Sequence, residues 1–135
     1  EVDALKGAPG IYSARFAARE NFSAAELSGD ALNNACLLSQ LESVTGDARS
    51  ARFRCVLVYM RHENDPNPQV FQGRWDGYIV EQPEGDEGFG YDPVFQPRVQ
   101  PEGENRCAAQ FSKEEKNAVS HRAVAMKQLI DHWQG

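Results

Sequence analysis

The hydrophobic and polar positions of the chain fall into two helix-like stretches and two strand-like ones. Over 28–44, Ala31, Leu32, Ala35, Leu38 and Leu41 recur at spacings of one, three and four. That spacing places them on one helical face, with Asn33 and Asn34 beside it. Thr45-Gly46-Asp47 closes this predicted helix. Over 51–61, Phe53, Cys55, Leu57 and Tyr59 share one parity, and Arg52, Arg54, Val56, Val58 and Met60 the other. Only the start of the second parity is polar, so this strand is expected to be buried on both faces further along. Over 70–81, Phe71, Gly73, Trp75, Gly77 and Ile79 alternate with Gln72, Arg74, Asp76 and Tyr78. The short stretch 62–68 between them is rich in Asn, Asp and Pro, so the two strands read as a hairpin.

The last segment is helical. Ser112 and Glu115 stand at capping-box spacing, and Val124, Leu129, Ile130 and Trp133 supply an apolar stripe further on. Near the start, Pro9-Gly10 suits the central pair of a type II turn. Residues 82–93 and 97–106 are too rich in Gly, Pro and charge for regular elements. Helices around a hairpin of long strands give an α/β fold class, a mixed sheet with α+β character.

Composition narrows the function classes. The 135 residues are 41% hydrophobic and 25% charged, the usual globular balance. No stretch approaches the ~20 apolar residues of a membrane-spanning helix. The net charge of −6 argues against nonspecific nucleic-acid binding, which needs a basic footprint. Residues 113–135 are the exception: Lys113, Lys116, Arg122 and Lys127 outnumber Glu114, Glu115 and Asp131, which suits an anionic ligand. Cys36, Cys55 and Cys107 are odd in number and widely spaced, with no Cys-x-x-Cys. They read as free thiols of a reducing cytosol rather than a zinc site. His62 and His132 read as surface residues, and Asp86 and Glu87 as a solvated loop.

Two stretches are candidates for chemistry. Gly85-Asp-Glu-Gly88-Phe-Gly-Tyr-Asp-Pro93 holds an aromatic between two glycines. Its spacing is neither the dinucleotide fingerprint nor a phosphate loop. Gly88 and Gly90 permit a sharp bend, Phe89 offers a flat face for a base, and Asp92 an acceptor for ring N–H groups. The same residues also fit a tight turn in which Phe89 and Tyr91 anchor a core. The second stretch, Lys113 to Arg122, places Lys116 and Ser120 one helical turn apart and His121 beside Arg122. It fits either an anion-binding face or a solvated charged face.

Taken in order, several motifs resemble one family. They are Gly7-Ala-Pro-Gly-Ile-Tyr-Ser-Ala-Arg15, Asn33-Asn34 before a Leu pair, Phe53-Arg-Cys-Val56, Gly88-Phe-Gly-Tyr-Asp-Pro93, Glu115-Lys-Asn117 and Ser120-His-Arg122. This series is similar to the non-canonical purine nucleoside triphosphate pyrophosphatases, the inosine triphosphatases or dITP/XTP diphosphatases. Val58-Tyr-Met-Arg-His62 and Asp65-Pro-Asn-Pro68 resemble the bacterial branch.

The resemblance implies an inosine triphosphatase-like fold, an elongated mixed sheet with flanking helices in two lobes around a nucleotide cleft. It implies hydrolysis of ITP, dITP and XTP to the monophosphate and pyrophosphate with Mg²⁺, by a cytoplasmic homodimer that binds neither nucleic acid nor membrane. It assigns Phe89 to stacking on the base, Gly90, Tyr91 and Asp92 to shaping the base pocket, and Lys116, His121 and Arg122 to completing it. The alternative is a catalytically inactive nucleotide-binding or dimer-scaffold protein of the same fold.

The departures concern catalysis. The family begins with a Thr/Ser-Gly-Asn-x-x-Lys loop for the triphosphate, and later carries an Asp-Asp-Ser-Gly motif with the catalytic acidic residue. Here Glu1-Val2-Asp3-Ala4-Leu5 corresponds to the stretch just after that motif. Residues 1–135 are thus expected to be the C-terminal two-thirds of a single such domain. The catalytic carboxylates and most metal ligands are expected upstream of Glu1, and the chain alone is expected to be impaired. Cys107-Ala-Ala-Gln-Phe111 replaces the family's Thr-Ala-Glu-Leu, which suggests a variant lid.

Overall fold

The period-two pattern of 70–81 becomes a strand, β2 (Gln69–Ile79), in the computed structural model, which describes residues 1–135. Phe71, Gly73, Trp75, Gly77 and Ile79 are its buried parity, as the alternation predicts. Its neighbour β1 spans Ser50–Tyr59, and a short third strand, β3 (Phe95–Pro97), lies on its other side. β3 runs antiparallel to β2, with Gly77 opposite Pro97, Tyr78 opposite Gln96 and Ile79 opposite Phe95. Four helices accompany the sheet: α1 (Phe16–Arg19), α2 (Gly29–Gln40), α3 (Lys113–Val119) and α4 (His121–Gln134). The architecture is α/β, and the sheet within these residues is antiparallel. No helix is long and apolar enough to cross a membrane.

The residues sort into two compact units: Glu1–Arg52 with Asp76–Ser112, and Phe53–Trp75 with Lys113–Gly135. β1 and β2 supply residues to both.

The first unit has a core of Phe16, Leu37, Leu41, Val94 and Phe95, with Cys36 and Cys107 among them. All three cysteines are free; Cys36 and Cys107 are buried and Cys55 is half-buried. Burial pushes the Cys36 thiol up, helped by the charge of Glu20, and takes Cys107 to about 11. Near the chain start, Arg52 makes a two-pronged pair with Asp3 at 2.9 and 2.7 Å. That guanidinium, joined by the Ser50 hydroxyl, holds the Asp3 carboxyl well below the usual range.

Arg49 ties the end of α2 to the end of β2. Its guanidinium is buried, and all four of its bonds go to backbone carbonyls. Nε donates to Ile79 at 2.7 Å, Nη1 to Leu41 at 2.7 Å and Val44 at 2.9 Å, and Nη2 to Val80 at 2.8 Å. Leu41 and Val44 follow the last turn of α2, where carbonyls lack intrahelical partners and a cation is favoured. The helix therefore ends at Gln40, sooner than the apolar spacing to 44 suggests.

In the second unit α4 lies on β2. Ala125 is fully buried, and a Cβ at Gly73 would meet the His121 carbonyl and the Ala125 nitrogen. Gln72 and Gln128 exchange two hydrogen bonds, from the Gln72 N–H at 3.3 Å and from Gln128 Nε2 at 2.9 Å. Tyr59 meets Trp133 edge-on at 5.2 Å, and Phe71 meets His132 at 5.4 Å. The loop joining β1 to β2 is organised by Asp65, whose side chain is 1% exposed. Its oxygens accept from the Arg61 N–H and guanidinium and from the Asn67 N–H. Those donors, the guanidinium first, hold its carboxyl well below the ordinary value.

Several expectations are corrected. Val56, Val58 and Met60 are 57%, 58% and 47% exposed, so β1 is not buried on both faces. Apolar content shows that a face favours cover, not that a cover is there. The single C-terminal helix is two, because Ser120 leaves the helical region (φ −67°, ψ 160°) and caps α4 by accepting from the Ala123 N–H. Pro9 has helical angles (φ −71°, ψ −17°), which excludes the type II turn despite a positive φ at Gly10. The strand β3 was not foreseen in its Pro-bounded stretch. Finally, Cys107 to Ala109 and Phe111 are buried around a short 3-10 turn.

Candidate functional site

The loop 85–92 in the first unit owes its course to three glycines. Gly85, Gly88 and Gly90 have φ of +86°, +100° and +60°, a region that other residues enter at a cost. At Gly85 a second constraint applies, because a Cβ would lie 2.8 Å from the Ala109 backbone. The same Ala109 carbonyl accepts from the Glu87 N–H at 2.9 Å, and Pro93 O accepts from the Glu84 N–H at 2.8 Å. Both ends of the loop are thereby fastened to the body of the unit.

Between these points Phe89 is displayed, 60% exposed. The ring is held out toward solvent by a fastened loop, so the core-anchor reading does not hold for Phe89. It does hold for its neighbour. Tyr91 is half-buried, and its hydroxyl donates to Ser13 O at 2.6 Å. Burial, then the charges of Cys36 and Asp30, push its phenol far above the usual range. Asp92 is buried, accepts from the Phe89 N–H at 3.3 Å, and opens a 3-10 turn over Asp92–Val94. Its own N–H donates to Phe89 O at 3.2 Å. The carboxylate thus shapes the loop from inside.

Helix α2 supports this loop. The Gly90 N–H donates to Asp30 Oδ2 at 2.9 Å, and Asn34 Nδ2 donates to Gly90 O at 3.1 Å. Asn33 braces the segment before α2 instead, accepting from the Ala17 N–H at 2.9 Å and donating to Ala14 O at 3.1 Å. Asn34 Oδ1 is buried with no hydrogen-bond partner in the protein. Sequence reasoning missed Asp30, although its i, i+4 spacing to Asn34 put both on one side of the predicted helix.

The second unit carries the other three candidates. Lys116 is half-buried on α3, and His121 and Arg122 open α4, half-buried and exposed respectively. The break at Ser120 separates Lys116 from the other two. The His121 ring stacks on Phe53 with centroids 4.7 Å apart and planes 12° from parallel. Phe53 in turn faces Trp75 at 6.2 Å. His121 is therefore held flat against an aromatic pair. Nowhere in the chain do three His, Cys, Asp or Glu side chains come together to hold a metal.

Comparison with known proteins returns a consistent set. A model of the Ham1 family matches residues 1–132. A dITP/XTP pyrophosphatase of Yersinia pseudotuberculosis is 50% identical over 131 residues, covering 96% of this chain and 60% of that protein. One from Escherichia coli is 48% identical over 130 residues, with the same coverage. The structure of a HAM1 protein from Coxiella burnetii superposes with a TM-score of 0.82 at 39% identity, over 98% of this chain and 62% of that one. The Staphylococcus aureus Ham1 protein gives 0.81 at 40% identity, over 100% and 62%. The chain thus spans about 60% of the length of the curated relatives it matches.

Proposed function

Because the chain belongs to the Ham1 family, we propose that it supplies base recognition to a hydrolase of purine nucleoside triphosphates such as ITP, dITP and XTP. The reaction releases pyrophosphate and leaves the monophosphate. The observation that carries this reading is the exposed Phe89 ring, held out by a loop fixed at Gly85, Gly90 and Asp92.

The chemistry of the base supports the roles that the resemblance implies. Hypoxanthine and xanthine offer a flat ring, a 6-oxo acceptor and an N1–H donor. Phe89 stacks on the ring, while Gly90 and Tyr91 set the loop around it. Asp92 accepts from a ring N–H. Lys116 and Arg122 are the cationic donors suited to the 6-oxo group, and His121 completes the pocket with them. Adenine carries a 6-amino group instead, so it would leave those donors unpaired in a closed site, a mismatch costing about 1–3 kcal/mol or more.

Cleavage of an anhydride requires charge neutralisation and an aligned water. Mg²⁺ is the metal that the resemblance implies for this reaction, and residues 1–135 bring no set of three ligands together. The proposal extends to a cytoplasmic homodimer that acts on free nucleotides rather than on nucleic acid or membranes.

Titration calorimetry with IMP and ATP tests the reading. IMP is expected to bind and ATP not to. Phe89→Ala and Arg122→Ala should each weaken IMP about tenfold or more, the scale of one stacking or charge-assisted contact. Equal affinity for the two nucleotides, or no effect of either substitution, would overturn the assignment.

A further inference from the structure

The Gly90 peptide is gripped on both of its polar groups by one helix. Asp30 takes its N–H at 2.9 Å and Asn34 gives a hydrogen bond to its carbonyl at 3.1 Å. The two side chains are four residues apart on α2, so they project from the same side of the helix, one turn apart. They are separated from Gly90 by 60 and 56 residues of sequence. We propose that Asp30 and Asn34 are positioning residues for base recognition, fixing the Gly90 peptide and, through it, the direction in which Phe89 presents its ring. This rests on the reading of Phe89 as the stacking platform.

Three observations support the role. First, the grip is on a residue at φ +60°, in the left-handed region. A Cβ at Gly90 would meet no neighbour, so it is the backbone angle and not a close approach that calls for glycine here. The two hydrogen bonds favour this conformation among those that a glycine visits. Second, Asn34 keeps this bond while leaving Oδ1 buried and unpartnered. A buried acceptor without a donor is unfavourable, and an apolar residue at this helix position would avoid it. The bond to Gly90 is the return on that cost. Third, the grip is one residue from Phe89, whose other flank is set by Asp92 through the Phe89 N–H. A platform stacks on a flat ligand only if its ring is already oriented, because every rotor ordered on binding subtracts from affinity.

Asp30 is exposed in the first turn of α2, so it can be changed without opening the core. An acidic residue there also favours the helix dipole, and the test must separate the two roles. Asp30→Ala removes both charge and acceptor. Asp30→Asn removes the charge but keeps an oxygen for the Gly90 N–H. The measurements are IMP affinity by calorimetry, amide hydrogen exchange at Gly90 by NMR, and Tm, on the full 135-residue chain. Asp30→Ala is expected to speed Gly90 exchange and weaken IMP on the order of tenfold, the scale of a charge-assisted hydrogen bond. Asp30→Asn should restore most of both. Asn34→Asp, which removes the donor, should reproduce the affinity loss.

If Asp30→Ala and Asp30→Asn behave alike, or if Gly90 exchange quickens with IMP affinity unchanged while Phe89→Ala abolishes binding, the positioning role is overturned and the platform stands. If Phe89→Ala itself leaves IMP binding intact, the platform falls, and the positioning role with it.

Discussion

Replacing Arg49 with Met removes five N–H donors while keeping an unbranched side chain of comparable reach. The four carbonyls of Ile79, Leu41, Val44 and Val80 then lose a charged donor. At about 1.5–3 kcal/mol for each such bond, the ceiling is about 6–12 kcal/mol. Three effects lower it. The Leu41 carbonyl keeps the Val44 N–H at 2.9 Å. The bonds to Val44 and Val80 are only part-buried, so water can replace the guanidinium there. Met also spares the desolvation of a buried charge, which costs several kcal/mol. About 3–4 kcal/mol of destabilisation remains, a large part of the ~5–15 kcal/mol that holds a domain of this size. Urea unfolding followed by far-UV circular dichroism reads it as a fall in midpoint of about 1–4 M at unchanged slope. Arg49→Lys should be at least as harmful, since a buried ammonium keeps the desolvation cost but lacks the planar fork that reaches carbonyls on two elements. A loss under about 1 kcal/mol for Met, or wild-type stability for Lys, would refute this account of the junction.

Other expectations concern titration and reactivity. The depressed Asp65 carboxyl contributes stability that is fully present above the unfolded value of about 3.9 and lost as pH falls further toward its folded value. The Tm difference between the native chain and Asp65→Asn should therefore be constant near pH 7 and shrink below about pH 4. A difference that grew on acidification would contradict the Asp65 geometry. Thiol titration with an aromatic disulfide at pH 8 should label Cys55 alone in the folded chain and all three cysteines in denaturant. Rapid labelling of Cys107, whose thiol sits at about 11, would show that its core opens readily.

The hairpin was legible in the sequence because its period is short and its punctuation clear. Phe71, Trp75 and Ile79 fix the parity of β2, and Gly73 and Gly77 share it whether or not they have side chains. The Gly88 to Pro93 stretch was legible for a similar reason, since glycines around an aromatic say what the backbone must do. Other features depend on partners far away in sequence. Asp30 looks like any acidic residue in a first helical turn, and its partner is 60 residues on. Arg49 sits in a polar turn where nothing in the neighbouring sequence marks burial, yet it is 5% exposed, because four carbonyls converge on it. The break at Ser120 has no Gly or Pro to announce it; a hydroxyl that caps the next helix is enough. Val56 and Val58 show the converse limit, since a pattern gives the two faces of a strand but not their covers.

Gly73 has a genetic consequence. The atoms that a Cβ would strike there are the His121 carbonyl and the Ala125 nitrogen, both main chain. Clashes between side chains can be relieved by trimming a neighbour, and such lesions acquire second-site suppressors. No change elsewhere can shorten a peptide group. A Gly73→Ala lesion in this protein should therefore return in a selection almost entirely as true revertants, because the seat of α4 is encoded by an atom that must not be there.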